Sequence, residues 1–81
     1  MIKVLFFAQV RELVGTDTLA LPADFSTVET LRQSLALRGD RWALALEAGN
    51  LLVAVNQTLV ETTHPVQDGD EVAFFPPVTG G

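Results

Sequence analysis

The chain has 81 residues, enough for one small domain and too few for two, and its 48% apolar content excludes an intrinsically disordered chain. It contains no cysteine, which rules out disulfides, zinc-thiolate sites and a thiol nucleophile. Ten acidic against five basic side chains give a net charge of −5, the wrong sign for neutralising nucleic-acid phosphates; the balance suits either solubility alone or a basic partner surface.

Residues 2–8 are rich in β-branched and aromatic side chains and read as a first strand. The apolar run Leu5-Phe6-Phe7-Ala8 meets Gln9, Arg11 and Glu12 at once, too soon for a signal peptide or a membrane span, so the expected location is the cytoplasm. Val10, Leu13 and Val14 have helical spacing before Gly15 and suggest one turn of helix inside a loop. Residues 17–21 alternate, with Leu19 and Leu21 on one side, as a second strand does.

The segment DFSTVETLRQSLALRG carries helix punctuation: Ser26 as cap, Glu29 three residues later to complete a capping box, and Gly39 at the far end. Val28, Leu31 and Leu35 then form one apolar stripe. A shorter helix is expected from an Asp40 cap through Trp42, Leu44 and Leu46 to Gly49, with Trp42 in the core. Residues 51–55 read as a buried strand, Asn56-Gln57 as a turn and residues 58–60 as a short return strand. Asp68-Gly69-Asp70 marks a turn before a last strand over residues 71–75.

This order predicts an α+β fold, a ubiquitin-like β-grasp: a mixed sheet with one main helix packed on one face and a short second helix. The crossover helix lets the first and last strands lie parallel and adjacent. The expected division is a β-grasp domain over residues 1–75 and an extended Gly-Gly tail over residues 76–81.

Strand parity sorts the two faces of the sheet. Lys3 and Glu71 should meet water, which places Leu5, Phe7, Ala73 and Phe75 on the open face and turns Ile2, Val4, Phe6, Val72 and Phe74 toward the helix. Phe7 and Phe75 would then share one end of the open face beside the exit of the tail, with Leu59 extending the patch. Two readings follow: a contact surface, or a sheet edge covered by the segment 9–15.

The chain ends AFFPPVTGG. Pro76 and Pro77 fix φ and favour an extended strut, from which the remaining residues reach roughly 16 Å. Gly80 and Gly81 lack a Cβ and can pass a narrow channel. The group delivered is a carboxylate, inert toward nucleophiles until one oxygen becomes part of a leaving group, as in adenylation by ATP. No G-x-x-x-x-G-K-[ST] phosphate loop is present, so that step falls to another protein. Taken alone, such an ending is also compatible with a frayed terminus.

Other constellations carry less chemistry. His64 has no second histidine or cysteine to complete a metal set and is expected in an exposed loop. Asp68, Asp70 and Glu71 lack the spacing of a calcium loop. A Ser/His/Asp set is not visible.

With the opening IKVLFFAQVRELVG and the ending DGDEVAFFPPVTGG, the chain resembles the ubiquitin-like sulfur carriers, and among them the family of molybdopterin synthase small subunits, over its whole length. The related thiamine-pathway carriers are shorter and lack the double-proline approach to the glycines. The resemblance implies that Gly81 is adenylated by an ATP-dependent enzyme of the ubiquitin-activating type and converted by a sulfur donor to a thiocarboxylate. The tail then enters the large synthase subunit, where sulfur passes to a cyclic pyranopterin monophosphate to build the dithiolene of molybdopterin, within a heterotetramer. It assigns the sulfur to Gly81 and the threading of the channel to Val78, Thr79 and Gly80. Phe7, Leu59 and Phe75 become the docking surface, and Arg11 pairs with a partner carboxylate. It implies no metal or cofactor on this chain, ATP being used by the activating partner, and no nucleic-acid or membrane partner. A carrier of another pathway and a ubiquitin-like protein modifier are the alternatives.

Overall fold

In the computed structural model the described residues are 1–47, 49 and 51–77. In chain order they form β1 (Ile2–Phe6), α1 (Ala8–Val14), β2 (Thr18–Leu21), α2 (Val28–Ala36), α3 (Asp40–Ala45), β3 (Leu52–Val55), β4 (Thr58–Val60) and β5 (Glu71–Phe75). The strands make one five-stranded mixed sheet in the order β2-β1-β5-β3-β4. β1 and β5 run parallel at its centre, with Lys3 opposite Glu71, Val4 opposite Val72 and Phe6 opposite Phe74; the other neighbours are antiparallel.

Period-two alternation builds the core. Ile2, Val4, Phe6, Val72 and Phe74 are all buried and meet Val28, Leu31 and Leu35 from α2 and Leu46 from the end of α3. Each such side chain stabilises the fold by about 1.5–3 kcal/mol through removal from water. Phe6 stacks on Phe74 with ring centroids 6.2 Å apart and meets Trp42 edge-on at 5.6 Å. Trp42 closes the core as a half-buried lid, and the Arg38 guanidinium lies 5.2 Å from its ring centroid.

The start of α2 differs from the pattern expected at Ser26 and Glu29. Thr27 is the cap, and Thr30 completes the box: the Thr27 hydroxyl accepts from the Thr30 N–H, and the Thr30 hydroxyl accepts from the Thr27 N–H. The cause is tertiary. The Ser26 carbonyl accepts from the Val66 N–H and Thr27 bridges to Pro65, which holds the chain extended one residue further. The Val28 and Glu29 N–H groups, orphaned in an isolated helix, donate to the carbonyls of His64 and Thr62 at 3.0 and 2.9 Å.

Glu29, not needed at the cap, accepts from Arg32 Nε at 2.8 Å and Nη2 at 2.6 Å, while Arg32 Nη1 donates to the Leu46 carbonyl at 2.7 Å. The Arg32 hydrogen bonds hold the Glu29 carboxyl below the ordinary glutamate range, and the same pairing raises the arginine.

Two other boundaries move for local reasons. α2 ends at Ala36 with Leu37 as its cap, because the Leu37 and Arg38 N–H groups close tight bonds to Ser34 and Leu35. Gly39, expected to stop this helix, instead caps α3; Asp40 is the first residue inside α3, which stops at Ala45 short of Gly49. The single turn foreseen after the first strand is a seven-residue helix, α1, closed by Gly15 in the left-handed conformation at φ 81°. Among the described residues no helix is long and apolar enough to cross a membrane.

Candidate functional site

The three helices pack on one face of the sheet, so the site is built on the other. Leu5 lies opposite Ala73, Ala73 opposite Ala54, and Ala54 opposite Leu59, which makes an apolar row across four strands. The two alanines keep the middle of the row low. A second row lies nearer the tail. The Phe7 N–H donates to the Phe74 carbonyl at 3.1 Å and extends the parallel ladder one residue past β1, so Phe7 stands abreast of Phe75; Phe75 in turn faces Leu52.

Phe7 is 46% and Leu59 65% exposed, while Leu5, Leu52 and Phe75 are half-buried beneath them. The segment 9–15 does not cover this surface. Ala8, at φ 52°, turns the chain out of the sheet, and α1 then buries Val10 in the core and packs on α3. The opposite end of the open face is charged, with Lys3 beside Glu71. The surface therefore runs from a charged end to an aromatic end, and the aromatic end is where β5 leads into Pro76 and Pro77.

Arg11 lies one helical turn beyond Phe7, exposed and without an ion pair among the described residues. Val78, Thr79, Gly80 and Gly81 lie outside the described residues, so the residues read as threading and sulfur-bearing have no geometry to report. Leu52 was not foreseen as part of the surface, since residues 51–55 read as a uniformly buried strand. The signal was available in the parity of β3: with Val53 and Val55 turned inward, Leu52 and Ala54 must face out.

His64 is exposed, and no group of three or more metal-ligating side chains occurs among the described residues. Among the described residues the aromatic end of the open face is lined by apolar side chains. What it offers is an exposed apolar face at the root of Pro76 and Pro77.

A family model described as the ThiS family matches residues 4–81. The chain belongs to the ThiS family. Within it, the molybdopterin synthase sulfur carrier subunit of Escherichia coli strain K12 is 75% identical over 81 residues, covering 100% of both chains. Among solved structures, the crystal structure of small archaeal modifier protein 1 from Haloferax volcanii superposes with a TM-score of 0.75 at 26% identity, covering 99% of this chain and 98% of that one. A chain in the complex of subunits 1 and 2 of molybdopterin-converting factor from Helicobacter pylori 26695 superposes with a TM-score of 0.68 at 26% identity, covering 99% and 97%. The β-grasp architecture of this ThiS-family chain is thus shared with proteins named as carriers and as modifiers.

Proposed function

We propose that this ThiS-family chain is the sulfur-carrying small subunit of a molybdopterin synthase, working in the cytoplasm. The observation that carries the reading is the placement of Phe7 and Phe75 side by side at the root of the Pro76-Pro77 strut, in a chain so close in sequence to the Escherichia coli carrier.

The reacting group is the Gly81 carboxylate. One of its oxygens attacks the α-phosphorus of ATP in a partner enzyme, pyrophosphate leaves, and the acyl adenylate now has AMP as a leaving group. A sulfide equivalent from a donor protein adds to the carbonyl carbon and expels AMP, which leaves a thiocarboxylate. In the large synthase subunit that sulfur bonds to a side-chain carbon of the cyclic pyranopterin monophosphate as a carbon–oxygen bond there breaks, and water then cleaves the acyl–sulfur bond, restoring the carboxylate; two such transfers supply the two sulfurs of the dithiolene.

This chain's own residues supply delivery. Phe7, Leu59 and Phe75 dock on the partner, where aromatic side chains at the centre of a desolvated contact contribute most of the binding energy. Arg11 pairs with a carboxylate at the rim. Val78, Thr79 and Gly80 thread the channel, the glycine allowing the backbone to pass close to its walls. Deleting Gly80 and Gly81 is the test: synthase activity reconstituted with the large subunit should be lost completely while the fold is kept. Full activity of the truncated chain would refute the reading.

The likeness to small archaeal modifier protein 1 favours a second reading, in which the activated Gly81 is joined to a lysine amine of another protein. Covalent adducts on denaturing gels, formed with ATP and the activating enzyme, would select it over sulfur transfer.

A further inference from the structure

The root of the tail has a second side. Phe75 turns to the open face and Phe74 to the core, and beyond them Pro76 and Pro77 line a groove of about 540 Å³ on the helical side of the molecule. Val10 and Leu13 of α1 and Leu44 and Ala45 of α3 complete its apolar lining, and Glu47 is part of its polar lining. Leu44 is 61% exposed, so it contributes little to the core. Glu47 is exposed and makes no ion pair among the described residues.

We propose that this groove is a second docking point for the large subunit that receives the tail. It accepts one apolar side chain from the mouth of that subunit's channel, with a lysine or arginine beside it facing Glu47. The inference rests on the reading of the chain as a tail-delivering carrier.

Continuity argues for this occupant: Pro76 and Pro77 are both a wall of the groove and the segment that leads into the channel, so a rim enclosing the residues after Pro77 meets both sides of the root. Charge argues for a basic neighbour, since the chain carries −5 overall and Glu47 makes no ion pair among the described residues. The arrangement also has a mechanical consequence. A patch on one side leaves the strut free to pivot about Phe75, whereas contacts on opposite sides fix its direction and hold the terminal carbonyl at its target.

The test is calorimetric titration of the intact chain into the large subunit, comparing Leu44→Glu and Glu47→Lys with wild type, and with Phe7→Ser and the Gly80-Gly81 deletion as references. Leu44→Glu should weaken binding about tenfold or more. Glu47→Lys should weaken it several-fold, with the loss shrinking as salt is raised. Both side chains are exposed, so thermal unfolding should stay unchanged; if Leu44→Glu does not fold, Glu47→Lys decides.

Binding of both groove variants within about twofold of wild type, alongside weakened Phe7→Ser, would overturn the groove proposal and leave the carrier reading standing. Wild-type binding by Phe7→Ser and by the tail deletion as well would instead sink the carrier reading. If Leu44→Glu tightens binding and shifts the Gly80 and Gly81 amide resonances of the unbound chain, the groove holds the chain's own tail, which also overturns the proposal.

Discussion

Phe74 and Phe75 are the same amino acid in adjacent positions, and the strand assigns them opposite tasks. Phe74 is fully buried against Phe6, so Phe74→Ala should cost about 3–5 kcal/mol. That is a large part of the roughly 5–15 kcal/mol that holds a domain together. Phe7, nearly half exposed, should behave in the opposite way: Phe7→Ala should shift a urea unfolding curve by less than about 1 kcal/mol yet weaken docking on the large subunit about tenfold. Urea denaturation and calorimetry on the two variants check both halves. Glu29 adds a dependence on pH. Its carboxyl is held below the ordinary range in the folded chain by the Arg32 hydrogen bonds, so its contribution is present above the unfolded value and is lost as pH falls through the folded one. Glu29→Gln should therefore melt below wild type at neutral pH, and the gap should close in acid. Melting temperatures of both proteins across pH measure this.

The β3-β4 hairpin turns on Asn56 and Gln57 with φ of 51° and 71°, the left-handed pair that a two-residue hairpin requires. Asn56 also ties the turn to β5: its side chain donates to Asp70 and accepts from the Glu71 N–H, each at 3.0 Å. Asn56→Ala loses both bonds and a side chain that, among non-glycine residues, best tolerates left-handed backbone, which should cost about 1–3 kcal/mol. Gln57→Gly relieves a side chain in that conformation and should raise stability by up to about 1 kcal/mol. Thermal unfolding reads both changes.

At this scale the sequence was readable wherever a pattern was local. Alternation revealed β1 and β5 with their faces, and Val28, Leu31 and Leu35 revealed the buried stripe of α2. Patterns failed where distant chain supplied the bond. The cap moved from Ser26 to Thr27 because residues 62–66 hold the approach to the helix; Gly39 opens α3 for a local reason instead, since α2 tightens and stops early. Leu52 faces out by the parity of β3, a signal masked by the unbroken apolar run of residues 51–55. The open-face placement of Phe7 and Phe75 was legible from parity alone, whereas the groove beside Pro76 needed three elements brought together.

The molecule as a whole separates its tasks by layer. The helical layer and the inward side chains of the sheet supply stability, and the outward side chains are left exposed or half-exposed for the proposed docking. The chain end leaves from the place where those two layers meet. In the proposed cycle the reacting atom is the carbonyl carbon of Gly81, and other proteins act on it. Intact-mass measurement of the chain after incubation with ATP, the activating enzyme and a sulfur donor tests this most directly. The expected result is a gain equal to the exchange of one oxygen for sulfur, confined to the C-terminal peptide and reversed on turnover with the large subunit. An unchanged mass, or sulfur found anywhere else on the chain, would contradict it.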